Sequence, residues 1–202
     1  EDRGDEINTC IACNQACLDH TFGGKTTSCL VNPRACHETI LKYEPTQNAK
    51  TIAVIGAGPA GLAYATTAAE RGHEVSLFDA GSAIGGQFNL AKLVPGKEEF
   101  YETLRYYGKM IEKLNIKLTL NTRVEPDMLS GFDHIVVATG ISPRVPDMEG
   151  ITHEKAVSYI DALKGNKPVG KRVAIMGAGG IGFDVADTLS HDGPSGALDI
   201  DV

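Results

Sequence analysis

The apolar positions of this chain fall into short continuous runs and one helical stripe, separated by glycine-rich loops. TIAVIGA, 51–57, and EVSLFD, 74–79, are runs of the kind a strand buried on both faces needs. Between them, GLAYATTAAERG, 61–72, is rich in alanine and predicts a helix that stops at Gly72. Together the three predict one βαβ unit. Phe100, Leu104, Tyr107, Ile111 and Leu114 recur at steps of four and three, which predicts a helix over 98–114 with one apolar face. Strands are predicted at KLTLNTRV, 117–124, and FDHIVVATG, 132–140. ISPRVPDMEG, 141–150, with two prolines, reads as a crossover, and AVSYIDALKG, 156–165, as a short helix. KRVAIMGAGGIG, 171–182, then repeats the earlier strand-and-glycine pattern, and FDVADTLSH continues it as a helix. The same strand–loop–helix device is used twice.

The first 36 residues show no such pattern. Residues 1–9 are polar and charged and read as a tail or linker. Residues 10–36 hold all five cysteines and too few apolar residues to bury a core, so a metal centre is the expected organiser. The linker YEPTQNAK, 43–50, follows. The predicted organisation is a cysteine segment and linker over 1–48, a first dinucleotide domain over 49–145 and the start of a second over 146–202.

Composition narrows the function. A net charge of −7 excludes a nucleic-acid backbone as partner, which would need a basic face. No apolar run is long enough to span a bilayer, so no membrane partner is expected. The cysteines are bunched at one end, unlike a secreted disulfide framework, which predicts reduced thiols in a cytoplasmic setting. The opening EDRGDEINT has neither an initiator Met nor an apolar stretch and reads as the start of an internal fragment.

Gly56, Gly58 and Gly61 form G-x-G-x-x-G between a predicted strand and a predicted helix. Gly56 permits the tight turn, Gly58 lets the backbone approach a pyrophosphate, and Gly61 lets helix and strand pack. Pro59 and Ala60 open the helix, whose N-terminal amides would face the phosphates. Asp79 ends the next strand, 23 residues after Gly56, placed to accept from ribose hydroxyls. Gly177, Gly179 and Gly182, with Gly180 and Ile181 between, repeat the loop. That second loop reads as a nicotinamide dinucleotide site, or else as a structural echo of the first. Counting the same distance onward reaches Asp201, but DGPSGALDIDV reads as a loop rather than a strand, so NADH versus NADPH is not assigned from it.

GAGPAG, FDA, GGQFNLAKLVPGK and VVATG together resemble the two-dinucleotide-binding flavoprotein reductases. The resemblance implies an α/β, Rossmann-like fold with FAD on the first loop and NADP(H) on the second. It further implies that Gly86 and Gln87 line the flavin, that Lys97 reaches the FAD phosphates or adenine, and that Val124 contacts adenine. Ala138, Thr139 and Gly140 would pack on the cofactor. The alternative for Lys97 is a solvated loop charge, and for Val124 a core strand position.

Cys10, Cys13, Cys17 and Cys29 are spaced C-x2-C-x3-C-x11-C. Four thiolates bind zinc or an iron–sulfur cluster, and the spacing alone leaves both open. Flavin and nicotinamide sites next door favour a redox centre, because zinc would carry no electrons between them. Cys36 reads as a buried small residue, and His20 and His37 as residues at the surface or beside a ligand.

CIACNQACLDHTF, SCLVNPRACHE, VIGAGPAGL and GAGGIGFD resemble the NADH:flavin oxidoreductase, old-yellow-enzyme-related family, in its bacterial 2,4-dienoyl-CoA reductase branch. Trimethylamine-dehydrogenase-like members are the alternative, and a zinc-stapled nucleotide module without electron transfer is another. The resemblance implies a 4Fe-4S cluster on Cys10, Cys13, Cys17 and Cys29. It also implies a preceding barrel that holds FMN, the catalytic residues and the unsaturated acyl-CoA substrate. On that reading no catalytic residue lies within these positions, and the 202 residues alone are not expected to reduce an acyl-CoA.

Overall fold

Thr51–Ile55 forms strand β1, and its middle three side chains, Ile52, Ala53 and Val54, are buried. A run without a polar position suits a strand flanked on both sides and covered on both faces. The computed structural model describes residues 2–191 and 193. In chain order its elements are α1 Leu18–Phe22, β1, α2 Pro59–Glu70, β2 Glu74–Phe78, α3 Phe88–Ala91, α4 Glu99–Lys113, β3 Lys117–Thr119, β4 His134–Val137, α5 Tyr159–Lys164 and α6 Gly180–Ser190. None of the helices among the described residues is long and apolar enough to cross a membrane.

The residues separate into two compact units. One takes in the described residues up to Gly86 together with Glu99–Gly140, and the other takes in Gln87–Glu98 with the described residues from Ile141 onward. The first unit is built on a sheet of order β3-β2-β1-β4. All three pairings are parallel, with Ile55 opposite both Phe78 and Val137. Its core joins Val54, Leu62, Ala65, Leu77 and Ile111, with Tyr107 and Leu114 of the α4 stripe packed against it. The helix read from spacing thus buries the face that the spacing named.

Two predicted strands come out shorter. After β3 the chain leaves the sheet: Asn121 adopts a φ of 52°, its N–H donates to Gly81 O, and the Thr122 N–H donates to Asp79 O. The chain from 120 on therefore braces the loop after β2 rather than extending β3. α5 begins later than predicted because the Ser158 hydroxyl caps it, accepting from the Asp161 N–H at 3.1 Å.

In the second unit the predicted strand at 171–177 does not form among the described residues. A strand is defined by its ladder, and no neighbouring segment pairs with this one; Met176 is 75% exposed. The helix that follows, α6, forms as predicted.

The largest correction concerns the beginning of the chain. Residues 3–9, part of the stretch expected as a tail or linker, are fastened to α4. Lys109 Nζ lies 2.8 Å from the Asp5 carboxylate, and Lys113 Nζ lies 2.5 Å from Glu6, which also pairs with Arg3. Arg3 and Lys113 hold the Glu6 carboxyl down at about 2, and Lys109 lowers Asp5. Both acids therefore bind protons less readily in the folded chain than in the unfolded one, so these contacts are complete above about pH 5 and fade as the pH falls toward 2. Hydrogen exchange across residues 2–7 is expected to accelerate on acidification through that window. Exchange equal at pH 3 and pH 6, after correction for the intrinsic rate, would show that the ion pairs do not hold the segment.

Candidate functional site

The first glycine loop sits where the three strand ends meet. Because Ile55, Phe78 and Val137 share one level of the sheet, Gly56, Asp79 and Ala138 each lie one residue beyond it. The Gly56 N–H donates to Phe78 O at 2.7 Å, and the Ala138 N–H to Ile55 O at 2.8 Å. Gly56 has a φ of 108°, and a Cβ there would fall 2.2 Å from Ala138 O. The loop at Ala138 therefore packs directly on the first glycine, with Thr139 and Gly140 exposed beyond it.

Gly61 and Gly58 differ in what surrounds them. A Cβ on Gly61 would lie 1.8 Å from Gly56 O, so the third glycine is required by the protein's own packing. A Cβ on Gly58 would meet nothing within 4 Å. Gly58 is the N-cap of α2, no side chain caps that terminus, and Pro59 and Ala60 lie exposed in its first turn. The amides of Ala60 and Gly61 thus lie at a helix terminus carrying partial positive charge, above open space. That cradle, free of any Cβ, fits a pyrophosphate.

Asp79 and Gly86 complete the rim. Asp79 accepts from the Ala57 N–H and from the Gly81 N–H, each at 2.6 Å, so its carboxylate fixes the loop. Each oxygen keeps a lone pair for a ribose hydroxyl. Gly86, with a φ of 52°, approaches so closely that a Cβ on it would be 3.3 Å from Gly58 Cα. The structure thus brings together Gly56, Gly58, Pro59, Ala60, Gly61, Asp79, Gly86, Ala138, Thr139 and Gly140.

Three further residues were named from the sequence. Val124 is half-buried on the stretch after β3 rather than in a strand. Gln87 and Lys97 belong to the second unit. There the Gln87 side chain donates to Ile141 O at 2.8 Å and accepts from the Tyr159 hydroxyl at 3.1 Å. Lys97 Nζ lies 2.7 Å from Asp184 on α6, so its ammonium is engaged within that unit rather than solvated. Asp184 went unremarked in the sequence, where only a spacing of 87 residues connects the two charges.

The second loop copies the first in local geometry. Gly179 is the N-cap of α6 with φ −88° and ψ −179°, against −75° and 178° for Gly58. A Cβ on Gly182 would lie 2.1 Å from Gly177 O, as Gly61 does against Gly56. Gly179 and Gly180 face open space, and Ile181 is exposed. The difference is at Gly177, where none of the described residues packs behind the turn, in keeping with the segment before it, which pairs with no described neighbour. Asp201 lies outside the described residues.

In the cysteine segment only Ala16 is buried between residues 10 and 29. All five cysteines are free thiols, Cys10 exposed and Cys13, Cys17 and Cys29 half-buried. Among the described residues no three Cys, His, Asp or Glu side chains are gathered as a metal cage. The backbone nevertheless ties their neighbours together. The Ser28 N–H, beside Cys29, donates to Ala16 O, beside Cys17, at 2.8 Å. Ala12 and Asn14 take positive φ values that turn the chain between the first three cysteines, and the Ala12 N–H donates to Cys10 Sγ at 3.3 Å. Four thiols, a backbone N–H aimed at sulfur and little other packing are a donor set that fits an iron–sulfur cluster in chemistry and number. Cys36, expected to be buried, is exposed: it turns with a φ of 61° and its N–H donates to Glu38. His20 and His37 each spend Nδ1 on a backbone carbonyl at 3.0 Å.

Parallel strands, a glycine turn into each of two helices and an acid at the end of β2 define a dinucleotide-binding flavoprotein fold of the Rossmann-like α/β class. Residues 50–194 match the model of the pyridine nucleotide-disulphide oxidoreductase family, and the chain belongs to that family. It is 37% identical over 198 residues to a metal reductase of Desulforamulus reducens, covering 94% of this chain and 29% of that one. It is 30% identical to the cinnamate reductase of Clostridium sporogenes, covering 96% and 29%. Among solved structures, a complex of 2-naphthoyl-CoA reductase with 2-naphthoyl-CoA matches with a TM-score of 0.86 and 36% identity, covering 92% and 29%. The chain thus spans less than a third of the length of these relatives.

Proposed function

We propose that this chain is the electron-entry part of an old-yellow-enzyme-related reductase that acts on a carbon–carbon double bond conjugated to an acyl group, with a 2,4-dienoyl-CoA as the particular substrate. The observation that carries the reading is the pair of matching loops, each with an uncapped helix N-terminus and a glycine at which a Cβ would meet no described atom within 4 Å. Two such cradles in one chain serve two dinucleotides, and we assign FAD to the first and NADP(H) to the second. Gly58, Ala60 and Gly61 would hold the flavin pyrophosphate, Asp79 the ribose, and Gly179 to Gly182 the nicotinamide pyrophosphate. Cys10, Cys13, Cys17 and Cys29 would hold a 4Fe-4S cluster. Bound flavin supplies an acceptor for two electrons together, and a bound cluster supplies a carrier for one at a time. That division suits onward delivery to an FMN site outside these residues, where the acyl-CoA would be reduced.

Relatives that reduce cinnamate and 2-naphthoyl-CoA support the substrate class. The test is anaerobic purification followed by flavin, iron and acid-labile sulfide analysis and a visible spectrum. FAD with iron and sulfide in equal amounts is expected. Zinc without iron or sulfide would sink the electron-transfer reading, and ADP in place of FAD would favour an amine-dehydrogenase-like protein.

A further inference from the structure

The stretch just before Cys10 is held from both sides. On one side Arg105 of α4 reaches across. Its guanidinium donates to Asp5 O and, at 2.9 Å, to Ile7 O, and lies 3.4 Å from Thr9 Oγ1. Glu102 accepts from its Nε at 2.5 Å and so fixes the plane of the fork. Asp5 lies in a single 3-10 turn, Gly4–Glu6, and Ile7 leaves that turn in extended conformation, so one guanidinium spans the turn and the chain that follows it. On the other side Asn8 Nδ2 donates to Val31 O at 2.7 Å. Asn8 and Val31 are each two residues from a cysteine, Cys10 and Cys29. The first and last cysteines of the motif are therefore linked through a segment whose outer face is clamped by one arginine.

We propose that Arg105 is a positioning residue for the four-cysteine site: it fixes residues 5–9 so that Asn8 can bind Val31 and present Cys10 beside the chain that carries Cys29. The inference rests on the reading of those cysteines as a cluster site. The lysines of the same helix face do less. Lys109 meets the exposed Asp5 carboxylate, and exposed ion pairs contribute little, while Lys113 meets the half-buried Glu6, with which Arg3 also pairs. Arg105 meets main-chain carbonyls and a hydroxyl with several donors in one rigid plane, which a lysine cannot reproduce.

The test compares Arg105→Ala, Arg105→Lys and Lys109→Ala in the full-length protein, with flavin content as the check on folding. Loss of the clamp is expected to make iron leave to a chelator about fivefold faster, as for the loss of a hydrogen bond or two, and to alter the electron paramagnetic resonance spectrum of the reduced centre. Arg105→Lys is expected to resemble Arg105→Ala, and Lys109→Ala the unsubstituted protein. Wild-type iron retention and spectrum in Arg105→Ala, or full rescue by lysine, would overturn the proposal. A protein that carries no iron or sulfide at all would overturn the cluster reading instead. The clamp is then judged by alkylation of Cys10 relative to the exposed Cys36: a ratio changed in Arg105→Ala upholds the positioning of Cys10, and an unchanged ratio overturns it.

Discussion

Gly61→Ala is expected to unfold the first unit, whereas Gly58→Ala is expected to leave it folded and unable to hold a dinucleotide. The two glycines sit three residues apart in one motif, yet their surroundings are opposite. An alanine methyl at 61 would lie 1.8 Å from the carbonyl oxygen of Gly56, which is main chain and cannot swing aside. Nor can α2 retreat, because Leu62 and Ala65 on the same helix are fully buried against the sheet. A clash of that kind belongs with the most severe substitutions, at about 4 kcal/mol or more. At 58 the methyl meets no protein atom, and φ −75° with ψ 178° is ordinary extended backbone, so folding should change by less than about 0.5 kcal/mol. The space it fills is the one assigned to the pyrophosphate. FAD affinity should fall about a hundredfold or more, near 3 kcal/mol. Thermal unfolding by circular dichroism and FAD titration by fluorescence separate the two effects. Gly58→Ala binding FAD as tightly as the unsubstituted chain would show that the loop is not the cradle, and Gly61→Ala with an unchanged midpoint would show that the helix has room to move.

The first βαβ unit could be read from the sequence because each of its parts carries its own signal. IAVI, 52–55, is apolar without interruption, the glycines after it fall at the turn and at the crossing with α2, and Asp79 closes β2. The α4 stripe was likewise local, five apolar residues on one face. Pairing is not local. RVAIM has the composition of a strand, but a ladder needs a neighbour, and none of the described residues supplies one. The same limit hid the docking of residues 3–9. Their acids looked like a solvated run because the partners lie some hundred residues away, on α4. A signal was present in Arg105, Lys109 and Lys113, which recur every four residues as a basic stripe on the polar side of that helix. An acidic segment and a basic stripe within one unit were candidates for each other. Lys97 shows the other side of the problem: its charge was noticed, but Asp184, its partner, carried no mark that the spacing could reveal.

Cys29→Ser is expected to empty the cysteine segment of most of its iron and sulfide, while Cys36→Ser is expected to leave both unchanged. Both thiols are free and only seven residues apart, so composition alone does not separate them. Their backbones do. The N–H of Ser28 binds Ala16 O, which places Cys29 next to the neighbour of Cys17, and Val31 on its other flank accepts from Asn8 near Cys10. Cys36 instead stands in a separate turn closed by Glu38. A serine hydroxyl does not ionise near neutral pH and is a poor replacement for thiolate on iron, so one substitution removes a quarter of the ligand set rather than weakening it. The damage should stay local. With Ala16 the only buried residue from 10 to 29, the order of this segment depends on whatever joins its sulfurs, whereas the sheet of the same unit rests on its own core. Cys29→Ser should therefore raise protease sensitivity between residues 10 and 29 and leave the unfolding midpoint of the β1–β4 sheet and the FAD content within error of the unsubstituted protein. Equal loss of iron in Cys36→Ser, or full iron and sulfide in Cys29→Ser, would mean that the four-cysteine assignment names the wrong ligands.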